Sequence, residues 1–277
     1  MSDASLSLTR RDVLRGALAT ALAGAWLPLG AFAQERLDMG FARLVPGVAS
    51  GEELARQPEL WVMDIAYKPM RLMFVEVLDK ATGKKKREQI WYLCYRVVRR
   101  PVQGRDPGGA EPINPLEPVP GTPKFLPQFT LVTYDNPQSQ VPTRIQLDMI
   151  IPEAVAAINK VEKPYTYKDS VHIVQNLPEA VAAGTPDVPY VYGVATWRGI
   201  DPQTDFFKLI VSGITNIYET RGAEGEAKSQ WRKVLVQKFH RRGDQFDPNI
   251  REFEFDGAAE WQYQPDRPDA VPSAPTM

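Results

Sequence analysis

The chain predicts a mainly β protein. Two long apolar runs, Met70–Leu78 and Ile90–Val98, flank a polar tip in residues 79–89 and read as a β-hairpin. Side chains alternate across a strand, so Leu72, Phe74 and Leu78 share one face while Met73, Val75 and Val77 share the other. In the second run Trp91, Leu93, Tyr95 and Val97 oppose Tyr92, Cys94 and Val98. Strands that are apolar on both faces belong at the centre of a sheet, with a further layer against each face. Proline points the same way: 25 of 277 residues, well above the usual share of about 5%, disfavour an all-helical chain and suit strands joined by stiff loops. Finally, 43% hydrophobic and 10% aromatic residues are enough to fill the core of one large or two small domains.

Composition narrows the function classes. A formal net charge of −1 gives no global attraction to nucleic acid, and none is expected as a partner. One cysteine, Cys94, permits no intrachain disulfide and no cysteine cluster for zinc or iron–sulfur. On a strand buried from both sides, it reads as a small core hydrophobe.

Residues 1–33 read as an address. The stretch Ser7-Leu8-Thr9-Arg10-Arg11-Asp12-Val13-Leu14-Arg15 resembles the twin-arginine export signal, Arg10 and Arg11 preceding an apolar residue two places on. A moderately apolar run, Gly16–Leu29, follows, and Ala31 and Ala33 offer the small side chains a signal peptidase accepts, with cleavage after Ala33. Pro28 and Gly30 interrupt this run, which falls short of the ~20 residues that cross a bilayer, so the mature form has no expected membrane span. The resemblance implies partners in the twin-arginine machinery and a signal peptidase, folding before transport, and a periplasmic or secreted mature chain. Some such substrates carry a cofactor loaded in the cytoplasm; no residue here calls for one.

Residues 34–58 read as a linker or strap with a short helix near Gly51–Arg56, and residues 59–264 as one β domain. Leu60–Tyr67 is its first strand, with Trp61, Met63, Ile65 and Tyr67 on the apolar face. Four consecutive basic residues, Lys84–Arg87, lie in the hairpin tip and read as a solvated end that resists edge pairing. Pro101–Pro127 holds eight prolines, which exclude helix and internal strand and leave a long extended loop. Phe129–Tyr134 resumes as a strand. Pro152–Val161 is a helix, with proline at its first position and Pro164 beyond its end, and an apolar stripe of Val155, Ile158 and Val161. Val171–Gln175 reads as a short strand, Tyr190–Trp197 and Phe206–Ile214 as a second hairpin, and Trp231–His240 with Ile250–Phe255 as a third. Phe253 and Phe255 mark the covered face of the last strand. Residues 265–277, with four prolines, read as a disordered tail.

The strand Trp91–Val98, the delayed strand Phe129–Tyr134, and Gly193-Val194-Ala195-Thr196-Trp197 followed by Asp201-Pro202 and Leu209–Gly213 resemble uncharacterised exported bacterial proteins with an immunoglobulin-like β-sandwich. The resemblance covers Leu60–Tyr218. It implies such a sandwich here; the residues themselves add one short inserted helix, a long proline-rich loop and a C-terminal hairpin, and the helix and hairpin depart from a minimal sandwich of about 100 residues. The family brings no activity with it.

The chemistry-bearing residues form no recognised motif. His172 and His240 each fall on a predicted strand, without a second ligand at metal spacing. Asp201 with Asp205, and Asp244 with Asp247, flank turns where carboxylates can meet calcium, but turn chemistry alone selects aspartate there. Tyr165, Tyr167, Trp261 and Tyr263 are aromatics that can stack on a sugar, and Glu252 with Glu254 are the carboxylates a hydrolase would use. No catalytic, cofactor-binding or metal residue is assigned. The expected function is a non-enzymatic exported module of the cell envelope, structural or interacting, with another envelope protein as partner. The alternatives are a secreted carboxylate-dependent hydrolase and a folded cofactor carrier.

Overall fold

The computed structural model describes residues 40–79, 83–102, 123–139, 141–222, 228–243 and 251–265. Arg10, Arg11, Ala31 and Ala33, most of the proline-rich loop, Asp244 and Asp247, and the tail beyond Pro265 lie outside the described residues. In chain order the elements are β1 (Arg43–Val45), α1 (Gly51–Arg56), β2 (Met63–Tyr67), β3 (Arg71–Leu78), β4 (Lys85–Arg99), β5 (Lys124–Phe125), β6 (Gln128–Tyr134) and β7 (Arg144–Leu147), then α2 (Pro152–Val161), β8 (Gln175–Asn176), β9 (Val191–Arg198), β10 (Phe206–Ser212), β11 (Tyr218–Arg221), β12 (Ser229–His240) and β13 (Glu254–Pro265). The protein is mainly β, as its sequence predicts.

Two antiparallel sheets are each built around one long strand. In the first, β4 pairs with β3 through Lys85–Tyr92 and with β2 through Tyr95–Arg99, while β9 runs along its opposite side from Ile90 to Val97. Thus β2 and β3 are one strand interrupted at Lys68–Met70, where Pro69 has no amide to donate to the ladder. In the second sheet β12 has β10 and β11 end to end on one side and β13 on the other. That interruption falls at Gly213, whose φ is +75° and whose missing Cβ would collide with the carbonyl of Leu126. From β10 the second sheet continues through β6 to β7, and β5 pairs separately with β8.

One core lies between the two sheets. Trp91, Leu93, Tyr95 and Val97 of β4 face Phe129 and Leu131 of β6, Phe207, Leu209 and Val211 of β10, and Leu235 and Phe239 of β12. Its aromatic centre is Trp91, with Phe253 at 4.4 Å and Phe207 at 5.2 Å between ring centroids. On the outer face of the first sheet, Ile151 and, from α2, Ala154 and Ile158 cover Val75, Ile90, Tyr92 and Cys94. The result is helix on sheet on sheet. Cys94 is buried, and burial pushes its thiol well above the ordinary value.

Several expectations need correction. Only β4 of the first hairpin is central; β3 is a sheet edge over much of its length, and its Phe74 and Leu78 are half exposed. The run Tyr190–Ile214 is no hairpin, since β9 joins the first sheet and β10 the second. Its seven-residue connection, 199–205, crosses the ~10 Å between packed sheets. The buried stripe of α2 is Ala154 and Ile158, continued by Ile151 just before the helix; Val161, at the last turn, is exposed. His172 sits in a turn, and only Gln175–Asn176 of that segment is strand. The short helix expected at Gly51–Arg56 is present as α1, closed by a Ser50–Glu53 capping box, and the segment before it adds β1 to β2. β13 runs on to Pro265.

Candidate functional site

Two places combine exposed or strained chemistry, and both grow from the segment that leaves β7. Beyond Leu147 the chain crosses to the first sheet: the Met149 amide donates to the Thr196 carbonyl at 2.7 Å, and the Thr196 hydroxyl donates back to the Met149 carbonyl. After α2 the chain returns along the same edge of β9, where Lys168 donates to the Tyr192 carbonyl and accepts from the Val194 amide. These two crossings set Asp148 beside Asp169 and Ser170.

The Ser170 hydroxyl donates to Asp148, which also accepts the Phe129 amide at 3.2 Å. Asp169 accepts the amides of Val171 and His172 and faces the His172 Nδ1 at 2.7 Å. The ring of His172 is exposed. Burial holds the Asp148 carboxyl above the usual carboxylate range. Burial also pushes Asp169 up, but the bonds from His172 and Val171 outweigh it and leave that carboxyl low. Beneath them the Tyr95 side chain is fully buried, and a Cβ at residue 193 would strike its ring, so glycine is required there. Neighbouring carboxyls held apart in acidity, one of them orienting an imidazole, form an acid–base arrangement. Asp169, however, already serves two backbone amides of the turn it opens.

The second place is the outer edge of β7, which no strand among the described residues pairs. The Asp148 amide donates to the Phe129 carbonyl at 2.9 Å, and alternation along an antiparallel ladder then turns Gln146 and Arg144 towards β6. Ile145 and Leu147 therefore aim their N–H and C=O groups outward. Their side chains are 64% and 51% exposed, and Val141 at 77% and Ile150 at 46% flank them. On the opposite face Gln146 donates to the Arg198 carbonyl at 2.9 Å and Arg144 to the Gly199 carbonyl. Those side chains help close the edge of β9.

Comparison with protein-family models, curated proteins and solved structures found no match to this chain. The functional reading therefore rests on the chain's own geometry.

The other sequence candidates are dispersed. Glu252 is held by Arg71 at 2.8 Å and Glu254 by Arg242 at 3.0 Å. His240 lies 3.7 Å from Glu254. Asp201 accepts the Gln203 amide within its own turn, and Asp205 faces Arg241 at 3.2 Å. Tyr165 stacks on Tyr192 at 4.2 Å and Tyr167 is buried. Trp261 donates to the Pro46 carbonyl and the Tyr263 hydroxyl to Glu53, both on β13 and apart from the first pair. Among the described residues no group of three or more His, Cys, Asp or Glu is placed to hold a metal ion, and no helix is long and apolar enough to cross a membrane.

Sequence reasoning missed β7. Its signal was present as the alternation Arg144-Ile145-Gln146-Leu147 between Pro142 and Pro152.

Proposed function

We propose that the chain is a non-enzymatic interaction module of the cell envelope, exported by the twin-arginine route and periplasmic or secreted once cut after Ala33. We read its sandwich as immunoglobulin-like, a reading supported by Trp91 at the centre of the core on the middle strand of a sheet. It engages an envelope protein by accepting a strand at β7. The observation that carries this is the bare apolar edge: outward backbone groups at Ile145 and Leu147, with both side chains exposed. An uncovered edge of this kind templates further pairing. Two other edges, those of β9 and β13, are protected. Met149 and Lys168 bond along β9, and β13 carries Glu254, Asp256 and Glu260 with a register shift opposite β12.

A photo-crosslinking residue in place of Leu147, activated in living cells, is expected to give a discrete adduct with an envelope protein. The same residue in place of Glu260 on β13 is expected to give none. Equal labelling from both positions, or none from Leu147, sinks the reading. The separated acidities of Asp148 and Asp169 favour one second reading, carboxylate-dependent hydrolysis with His172 as base. Turnover of simple esters or glycosides that disappears in His172→Ala would put that reading first.

A further inference from the structure

This inference rests on strand addition at β7 and names the partner. We propose that the added strand is β7 of a second copy, antiparallel about a twofold axis through Gln146.

Three features favour this partner and register. First, a twofold at residue 146 sets Ile145 against Leu147 of the second copy. Both positions direct their backbone groups outward, so each pair exchanges both of its N–H···O bonds. Second, it sets Arg144 against Asp148 of the second copy. Arg144 bonds the Gly199 carbonyl and Asp148 accepts the Ser170 hydroxyl and the Phe129 amide, but among the described residues neither has an ion-pair partner in its own chain, and opposite charges directly across a ladder stabilise it. The pairing occurs twice, as a symmetric interface requires. Third, the neighbouring registers are worse. An axis at Ile145 sets Arg144 against Gln146, leaving both charges unmatched, and an axis at Leu147 needs Met149, which is already bonded to Thr196. A shift by a single residue puts apolar side chains on the wrong face.

The ladder is short, bounded by Pro142 before it and by the crossing at Met149 after it. Strand pairing over so few residues buries less than the ~1,000 Å² of a firm interface. Val141 and Ile150, exposed at either end of the strand, extend the apolar contact, and the dimer is a concentration-dependent one. The formal net charge of −1 sets little repulsion between copies.

The test is sedimentation equilibrium of the full chain, combined with oxidation of Gln146→Cys. Opposed residues at a non-hydrogen-bonded antiparallel site have Cα atoms about 4.5 Å apart, within disulfide reach. The variant is therefore expected to form a covalent dimer under mild oxidation, whereas Glu260→Cys remains uncrosslinked. Cys94, being buried, does not interfere. Ile145→Lys is expected to weaken the dimer at least tenfold with thermal unfolding of the monomer unchanged, and Arg144→Glu to weaken it as much while also losing the monomer's bond to the Gly199 carbonyl. A chain that stays monomeric at all concentrations, or a dimer that Ile145→Lys leaves intact and residue 146 does not crosslink, overturns the proposal. If in that case the Leu147 photo-adduct has the mass of some other protein, the edge reading survives without this partner. If no adduct forms, both fall.

Discussion

Glu162 shows how much of this molecule is decided by single residues. It stands just past the end of α2, where its amide closes the helix on Ile158, and its carboxylate receives Lys68 at 2.9 Å, Arg71 at 2.8 Å and the Tyr92 hydroxyl at 2.9 Å. Its side chain and that of Lys68 are nearly dry, 4% and 5% exposed. Burial raises the Glu162 carboxyl, but these three donors outweigh it and leave the group below its ordinary value. Removing one member of a buried ion pair costs about 3–5 kcal/mol, because the other charge is left unmatched. Glu162→Gln is thus expected to lower the melting temperature by roughly 10 °C, measured by thermal unfolding at neutral pH. The pH dependence follows from the sign of the shift. A carboxylate with a depressed folded value contributes stability in full above the unfolded value, near 4.5, and loses it as pH falls further. The variant should therefore lose less stability than the wild type between pH 5 and pH 3. None of this was legible in the sequence, where Lys68, Tyr92 and Glu162 lie on three separate segments. Cys94 was legible, because both faces of its own strand are apolar in the sequence.

At the scale of elements, what could be read was whatever declared its own ends. Pro152 and Pro164 bracket α2, and the capping pair Ser50 and Glu53 marks α1. Which sheet a strand joins has no local signature. The turn residues between β9 and β10 look like those of a hairpin although the chain there changes layers. The interruption between β10 and β11 is equally hidden, and it has a measurable cost. Gly213→Ala forces a side chain into a left-handed backbone and against the Leu126 carbonyl, so a loss above about 2 kcal/mol is expected. Gly257, with φ +73° but open space around its missing Cβ, is the matched control. There the same change should cost only the conformational part, about 1 kcal/mol. Denaturant midpoints of the two variants at constant m decide it. Equal losses would mean that the carbonyl of Leu126 moves aside freely.

At the scale of the whole chain, the central prediction concerns transport. Arg10 and Arg11 replaced together by lysine keep the charge but lose the paired guanidiniums, and uncut precursor should accumulate in the cytoplasm on fractionation. Normal export of that variant would overturn the twin-arginine reading. The order of assembly bears on the same question. Trp91, at the middle of the core, is covered on one side by Phe253, and residues 251–253 are fastened by main-chain bonds to Met70 and Leu72. A chain still emerging from the ribosome therefore holds an open interior until Phe253 has been made, however early its first strands are made. A channel that threads unfolded polypeptide would intercept loose strands, whereas a carrier that admits finished cargo would receive this protein only after Phe253 has closed over Trp91.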